Sequence, residues 1–187
     1  MRVYLAGPDV FLPDPLARAA ALKDVCARHG LVGVSPLDGL EGGDPAEWDG
    51  LSEAFRIARR NEAHIAGCAA LIANLTPFRG PSADAGTVFE LGFMRALGRP
   101  VFGWSNSAVD FVARSRAFCG TGSGEERDGE GLLLEDFPGL ADNLMIDGAI
   151  AASGGVLVRR EVGRAQVWRE LGAFEAVVAG AGRILLR

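Results

Sequence analysis

Several things are scarce in this 187-residue chain. It holds three cysteines, Cys26, Cys68 and Cys119, odd in number, far apart and without CxxC or Cys/His ligand spacing. That pattern argues against a zinc site and reads as buried free thiols, because a small apolar thiol suits a core. No cluster of Lys and Arg occurs and the formal net charge is −5, which argues against a nucleic-acid partner and fits a polyanionic ligand poorly. No apolar run approaches the length of a membrane span. Met1 leads straight into strand-like Arg2–Ala6, without the basic and apolar regions of a signal peptide, so a cytoplasmic protein with no membrane partner is expected. The first strand is not followed by G-x-G-x-x-G, since Gly7-Pro8-Asp9 does not supply it, and a dinucleotide site is a poor fit. No cofactor and no metal are expected. Tyrosine occurs once, as Tyr4.

What is present suits one globular domain over residues 1–187. Hydrophobic residues make up 49% of the chain and charged ones 23%, enough apolar material for a sizeable core. The first hundred residues alternate two periodicities. Arg2–Ala6, Leu31–Val34, Ala69–Leu75 and Pro100–Trp104 read as short strands, and Asp14–His29, Ala46–Ala66 and Phe89–Leu97 as helices. This β-α-β alternation predicts an α/β fold, a doubly wound (flavodoxin/Rossmann-like) parallel sheet with helices on both faces. Beyond Ser105 the pattern weakens. Gly120–Gly131 reads as a loop, Gly155–Val158 as a short apolar segment, and Glu161–Ala179 as a last helix.

The stretch Gly80–Gly92 carries the chemistry. It follows an apolar strand and enters a helix, so it delivers Asp84 and Glu90 to the carboxyl edge of the sheet, where open α/β sheets bind ligands. Carboxylates there can serve as nucleophile, acid or hydroxyl anchor toward a glycosidic bond. A structural reading stands beside this one. Thr87-Val88-Phe89-Glu90 matches a capping box, and Asp84 can cap the same helix or favour its dipole. Tyr4, ahead of Gly7-Pro8, lies where a parallel sheet brings its hydroxyl to the edge that holds Glu90. Asn61 and Glu62 lie on the helix feeding the third strand. Asp142-Asn143-Leu144-Met145 sets a carboxylate and an amide in an apolar stretch.

Together these residues resemble the nucleoside 2-deoxyribosyltransferase family. The motifs are Tyr4-Leu-Ala-Gly-Pro8, Ile72–Pro81, Asp84-Ala-Gly-Thr87, Phe89-Glu-Leu-Gly92, Gly98-Arg-Pro-Val101 and Asp142-Asn-Leu-Met145. The resemblance implies a doubly wound fold, and an enzyme that exchanges the base of a 2′-deoxyribonucleoside for a free purine or pyrimidine base, with retention, in nucleotide salvage. It implies that Glu90 is the nucleophile that forms a covalent deoxyribosyl ester, that Tyr4 orients it, and that Asp84 holds a sugar hydroxyl. It further implies that Asn143, beside Asp142, reaches the sugar of a neighbouring subunit, so that a homo-oligomer shares its active sites. Gly7, Phe78 and Ser82 complete the expected substrate contacts, with Phe11 and Trp48 as further candidates for stacking on a base.

One position departs from the pattern. Family members place an aspartate at the base, eight residues ahead of a second acidic residue; the matching positions here are Asn61 and Ala69. An amide hydrogen-bonds a base but is no general acid. Glu62, one residue on, is the alternative. A hydrolase is the rival reading: a 2′-deoxynucleoside or 2′-deoxynucleoside 5′-monophosphate N-glycosidase, with Ser82 or Arg79 at the phosphate.

Overall fold

The computed structural model describes residues 1–122 and 124–187. Its centre is a five-stranded parallel sheet of β1 (Arg2–Ala6), β2 (Val32–Val34), β3 (Ala70–Asn74), β4 (Val101–Ser105) and β5 (Leu157–Arg159), in the spatial order β2-β1-β3-β4-β5. The expected α/β fold is therefore present, and the four strands read from sequence fall within a residue or two of their expected bounds. β1, β3 and β4 are buried nearly throughout. Strands of a parallel sheet are covered on both faces, and so read as continuous apolar runs.

Alternation along β1 divides the core in two. Val3 and Leu5 join Ile72, Phe102 and Trp104 against α1 (Pro15–Arg28) and α6 (Gly172–Leu185), whose Leu22, Val25, Phe174 and Val178 complete one cluster. Tyr4 and Ala6 face the other way, with Leu71, Ala73 and Val101. There they meet Ile65 of α2 (Glu53–Ala66), Leu91 and Met94 of α3 (Ala85–Ala96), and Ile146 and Ile150 of α5 (Leu144–Ala152). The chain reverses its direction of winding between β1 and β3. That switch point opens a crevice at the carboxyl edge.

Several expectations are corrected. The helix expected over Ala46–Ala66 is broken: a 3-10 turn spans Ala46–Trp48, and α2 starts only at Glu53 after Gly50. The last helix begins at Gly172 rather than Glu161, with a short 3-10 turn at Arg164–Gln166 between. α4 (Phe111–Cys119), which the sequence pattern did not announce, ends on Gly120 in the left-handed conformation, φ 69°. The segment read as a loop over 120–131 contains Ser123, which lies outside the described residues. Cys26 and Cys68 are buried, but Cys119 is exposed at the end of its short helix.

α3 begins at Ala85, four residues ahead of the expected Phe89. Asp84 is its N-cap: Oδ2 accepts from the Thr87 amide at 3.0 Å and from the Thr87 hydroxyl at 3.1 Å. An aspartate three residues before Thr87 outcompetes Thr87 itself as cap. The capping box of Thr87 and Glu90 is thus not formed, and Glu90 is free to point elsewhere. Thr87, Glu90, Leu91 and Met94 recur at i, i+3, i+4 and i+7, the inward stripe of the helix.

Candidate active site

Glu90 turns toward β1. The Tyr4 hydroxyl donates to Glu90 Oε1 at 2.7 Å, and Asn61 Nδ2, from α2, reaches the same oxygen at 3.3 Å. The sheet and two helices thus each contribute one polar group to a single point. Tyr4 is fully buried, and Glu90 is partly covered. Burial pushes the Glu90 carboxyl up to about 7, and the nearby Asp84 charge adds to that rise. Hydrogen bonds from Tyr4 and Asn61 pull the other way. The Tyr4 phenol is pushed far upward, first by burial and then by the Glu90 charge and hydrogen bond, so it stays protonated and donating.

Glu90 borders a cavity of about 350 Å³, within the range of small-molecule sites. Gly7, Asp84 and Asn61 share its wall with Phe11, Leu37 and Ile57. Gly7 is needed for close approach, because a Cβ there would stand 2.6 Å from Asp9 Oδ2 and 2.8 Å from Asn74 Cβ. A smaller cavity of about 170 Å³, between α2 and α3, touches Glu90 from the other side and includes Asn61, Glu62 and Phe89. A larger concavity of about 610 Å³ lies around Asp38–Gly43 and His64, but does not include Glu90. Size alone would point to that concavity; the pair Asp84 and Glu90 points to the smaller cavity.

Of the residues singled out in the sequence, Tyr4, Gly7, Asn61, Asp84 and Glu90 are brought together. Glu62 instead pairs with Arg59 at 3.2 Å, so the residue facing the carboxylate is Asn61. Phe78 does not line the 350 Å³ cavity but stands behind it: it stacks on Phe11 with centroids 5.5 Å apart, and meets Trp168 edge-on at 5.9 Å. The Arg79 guanidinium covers both phenylalanines. Trp48 lies on the 3-10 turn outside that cavity wall.

Ser82 and Asp142 also stand off the cavity. The Ser82 hydroxyl donates to Asp142, which is fully buried and also accepts from the Ala83 and Asn143 amides, each at 2.8 Å. Asn143 caps α5 through the Met145 amide at 3.0 Å and donates to Glu135 at 2.6 Å. Next to it, Leu144 and Met145 are exposed. Reasoning from sequence missed the apolar wall of Leu37 and Ile57, whose residue types carry no chemical signal in a loop or on an amphipathic helix. Among the described residues no group of three or more His, Cys, Asp or Glu is placed to hold a metal ion. No helix among them is long and apolar enough to cross a membrane.

A parallel sheet wound 2-1-3-4-5, with a tyrosine-bonded carboxylate at its switch point, is an α/β ligand-binding architecture equipped for chemistry on a small molecule. Comparison with known proteins narrows that class. Residues 3–145 match the family model for nucleoside 2-deoxyribosyltransferase, and the chain belongs to that family. It is similar to the 2-desoxiribosyltransferase from Leishmania mexicana, with 30% identity, 81% of this chain and 95% of that chain covered, and a TM-score of 0.60. A conserved protein from Enterococcus faecalis V583 shares the fold at 18% identity, with 97% and 98% of the two chains covered and a TM-score of 0.56. An uncharacterized protein of Schizosaccharomyces pombe is 34% identical over 167 residues, spanning 82% of this chain and 78% of its own. The chain is thus a nucleoside-processing enzyme by family, one whose relatives transfer glycosyl groups.

Proposed function

We propose that this protein exchanges the base of a 2′-deoxyribonucleoside for a free purine or pyrimidine base, through an ester between Glu90 and the deoxyribose. The observation that carries the reading is the Tyr4–Glu90 hydrogen bond at the edge of the cavity. Ionised Glu90 attacks C1′. The C1′–N bond breaks as the C1′–O bond forms, and the base departs with the electron pair and takes up a proton from solvent. In the second half, a nitrogen of the incoming base attacks C1′, the carboxylate leaves, and the nitrogen loses its proton. Two displacements give net retention and ping-pong kinetics.

The environment of Glu90 suits both steps. Burial raises the energy of the ionised carboxylate, and forming a neutral ester relieves that cost. The same charge, in a site shielded from water, stabilises positive charge as it develops on the sugar ring. Tyr4 fixes which carboxylate oxygen is engaged and leaves the other to react. Asp84, held as a helix cap through Oδ2, is the anchor for a sugar hydroxyl. Gly7 lets the chain pass close to Asp9 and Asn74 at the cavity wall, and Asn61 offers an amide to the base. Asn143, already capping α5 beside the exposed Leu144 and Met145, serves the site of a neighbouring subunit in a homo-oligomer.

Incubating deoxyadenosine with and without a pyrimidine base tests the reading. A new deoxyribonucleoside that forms only with the acceptor is the expected result. Free deoxyribose at the same rate with or without acceptor would instead identify a hydrolase. Mixing inactive Glu90→Ala and Asn143→Ala proteins should restore part of the activity through hybrid sites; no recovery after verified subunit exchange contradicts the shared site.

A further inference from the structure

Arg114, on α4, joins two turns that are far apart in sequence. Its side chain is only 10% exposed. Nε donates to the Pro81 carbonyl at 2.7 Å and Nη2 to the Ala141 carbonyl at 2.6 Å, while Nη1 donates to the Val109 carbonyl. Asp142 bridges the same two turns from the other partner's side. It is 0% exposed, accepts from Ser82, Ala83 and Asn143, and lies 3.7 Å from Arg114 Nη2. Asp147 of α5 secures the second turn by accepting from the Ala141 and Asp142 amides, each at 3.0 Å.

The first of these turns runs directly into Asp84. That turn closes on a hydrogen bond from the Phe78 amide to the Ser82 carbonyl at 2.9 Å but carries strain at Arg79, whose φ of 56° lies in the left-handed region that non-glycine residues seldom occupy. A buried ion pair contributes little net stability compared with apolar packing of the same volume. Its fully satisfied hydrogen bonds do, however, fix geometry. Here that geometry is the Pro81–Ala83 backbone. We propose that Arg114 and Asp142 are positioning residues that clasp this turn so that Asp84 faces the deoxyribose. The proposal rests on the role given to Asp84 above. It also reassigns Ser82 and Asp142 from touching substrate to holding the residue that does.

The test is a double-mutant cycle of Arg114→Lys and Asp84→Asn, read in two assays: steady-state base exchange, and deoxyadenosine binding by titration calorimetry. Lysine keeps the charge but cannot reach both carbonyls, so the fold is preserved more readily than with alanine. Arg114→Lys should raise KM for the nucleoside about tenfold, with a smaller change in kcat, and the same substitution should have little effect in the Asp84→Asn background. Ser82→Ala, which removes one bond to Asp142 and no charge, should act in the same direction, about threefold, with the same dependence on Asp84. Independent, multiplicative losses overturn the clasp, as does a lowered melting temperature with KM unchanged, or an Asp84→Asn variant with unaltered KM. If the native protein binds deoxyadenosine and shows the coupling but exchanges no base, the proposed function fails and the clasp stands.

Discussion

On the face packed against α1 and α6, β1 presents Val3 and Leu5, and every neighbour in the cluster is apolar. On the face packed against α2, α3 and α5, the same strand presents Tyr4 and Ala6, and the apolar cluster ends at a carboxylate. The first face has one task, which is to remove hydrophobic surface from water. The second buries comparable residues but stops short at the switch point, where Tyr4, Asn61 and Glu90 converge. On the proposed function, the second core is also the medium of the reaction. Its packing desolvates Glu90 and raises the carboxyl toward neutrality, whereas the same burial on the first face acts on the Cys26 thiol, pushing it up to about 12 and keeping it neutral.

That contrast can be broken by substitution. The largest effect is expected for Glu90→Gln, which keeps the volume and the ability to accept from Tyr4 but removes the nucleophile. Base exchange should fall by at least about 10³-fold in steady-state assays, with the circular dichroism spectrum unchanged. Tyr4→Phe comes next. It deletes a hydrogen bond to a charged partner, and kcat/KM should fall by about 10–100-fold. Because that bond lowers the Glu90 pKa, the acid limb of the pH–rate profile should move from about 7 to higher pH. A limb that stays in place would detach Tyr4 from the titration.

The next effect is on stability. Glu90 binds its proton more tightly folded than unfolded, so the native state holds more protons than the unfolded one between the ordinary value of 4.5 and about 7. Stability therefore declines as pH rises through that window, and the cost is fully present above it. Glu90→Gln removes the cost. The variant should be more stable than the native protein at pH 8, by at most about 3 kcal/mol, and equal to it below pH 4.5. Denaturant melts at both values check this, and an advantage independent of pH would contradict the burial argument. The smallest functional effect belongs to the opposite face. Phe174→Leu should cost about 1 kcal/mol of stability and leave kcat/KM and the acid limb of the folded enzyme unchanged.

The parts of the fold legible in the sequence are those where one physical signal dominates. β1, β3 and β4 are buried on both faces, so their apolar runs stand out. α1 is bounded by Asp14-Pro15 and Gly30, and its ends are marked. α4 has no buried residues in its short span, and the half-buried β5 lacks the runs that betray a central strand. The start of α3 was displaced because two capping patterns overlap, with Asp84 and Thr87 three residues apart, and local geometry chose the first.

The candidate site was readable to the extent that it uses distinctive side chains. Tyr4, Asn61, Asp84 and Glu90 each admit a structural reading alone, and it is the family resemblance that singles them out together. The clasp carries no such sign. Arg114 acts on carbonyls of Pro81, Val109 and Ala141, and a backbone oxygen leaves no trace in the residues that carry it. Ser82 and Asp142 were expected at the substrate, and in the structure they bond to each other, because their types suit a ligand as well as one another.

The most direct measurement is mass spectrometry of the protein quenched during turnover with deoxyadenosine and no acceptor. The account predicts a deoxyribosyl increment on the peptide containing Glu90, released when a free base is added and absent from Glu90→Gln. An active enzyme whose adduct maps to another residue, or which turns over equally well after Glu90→Gln, would contradict it.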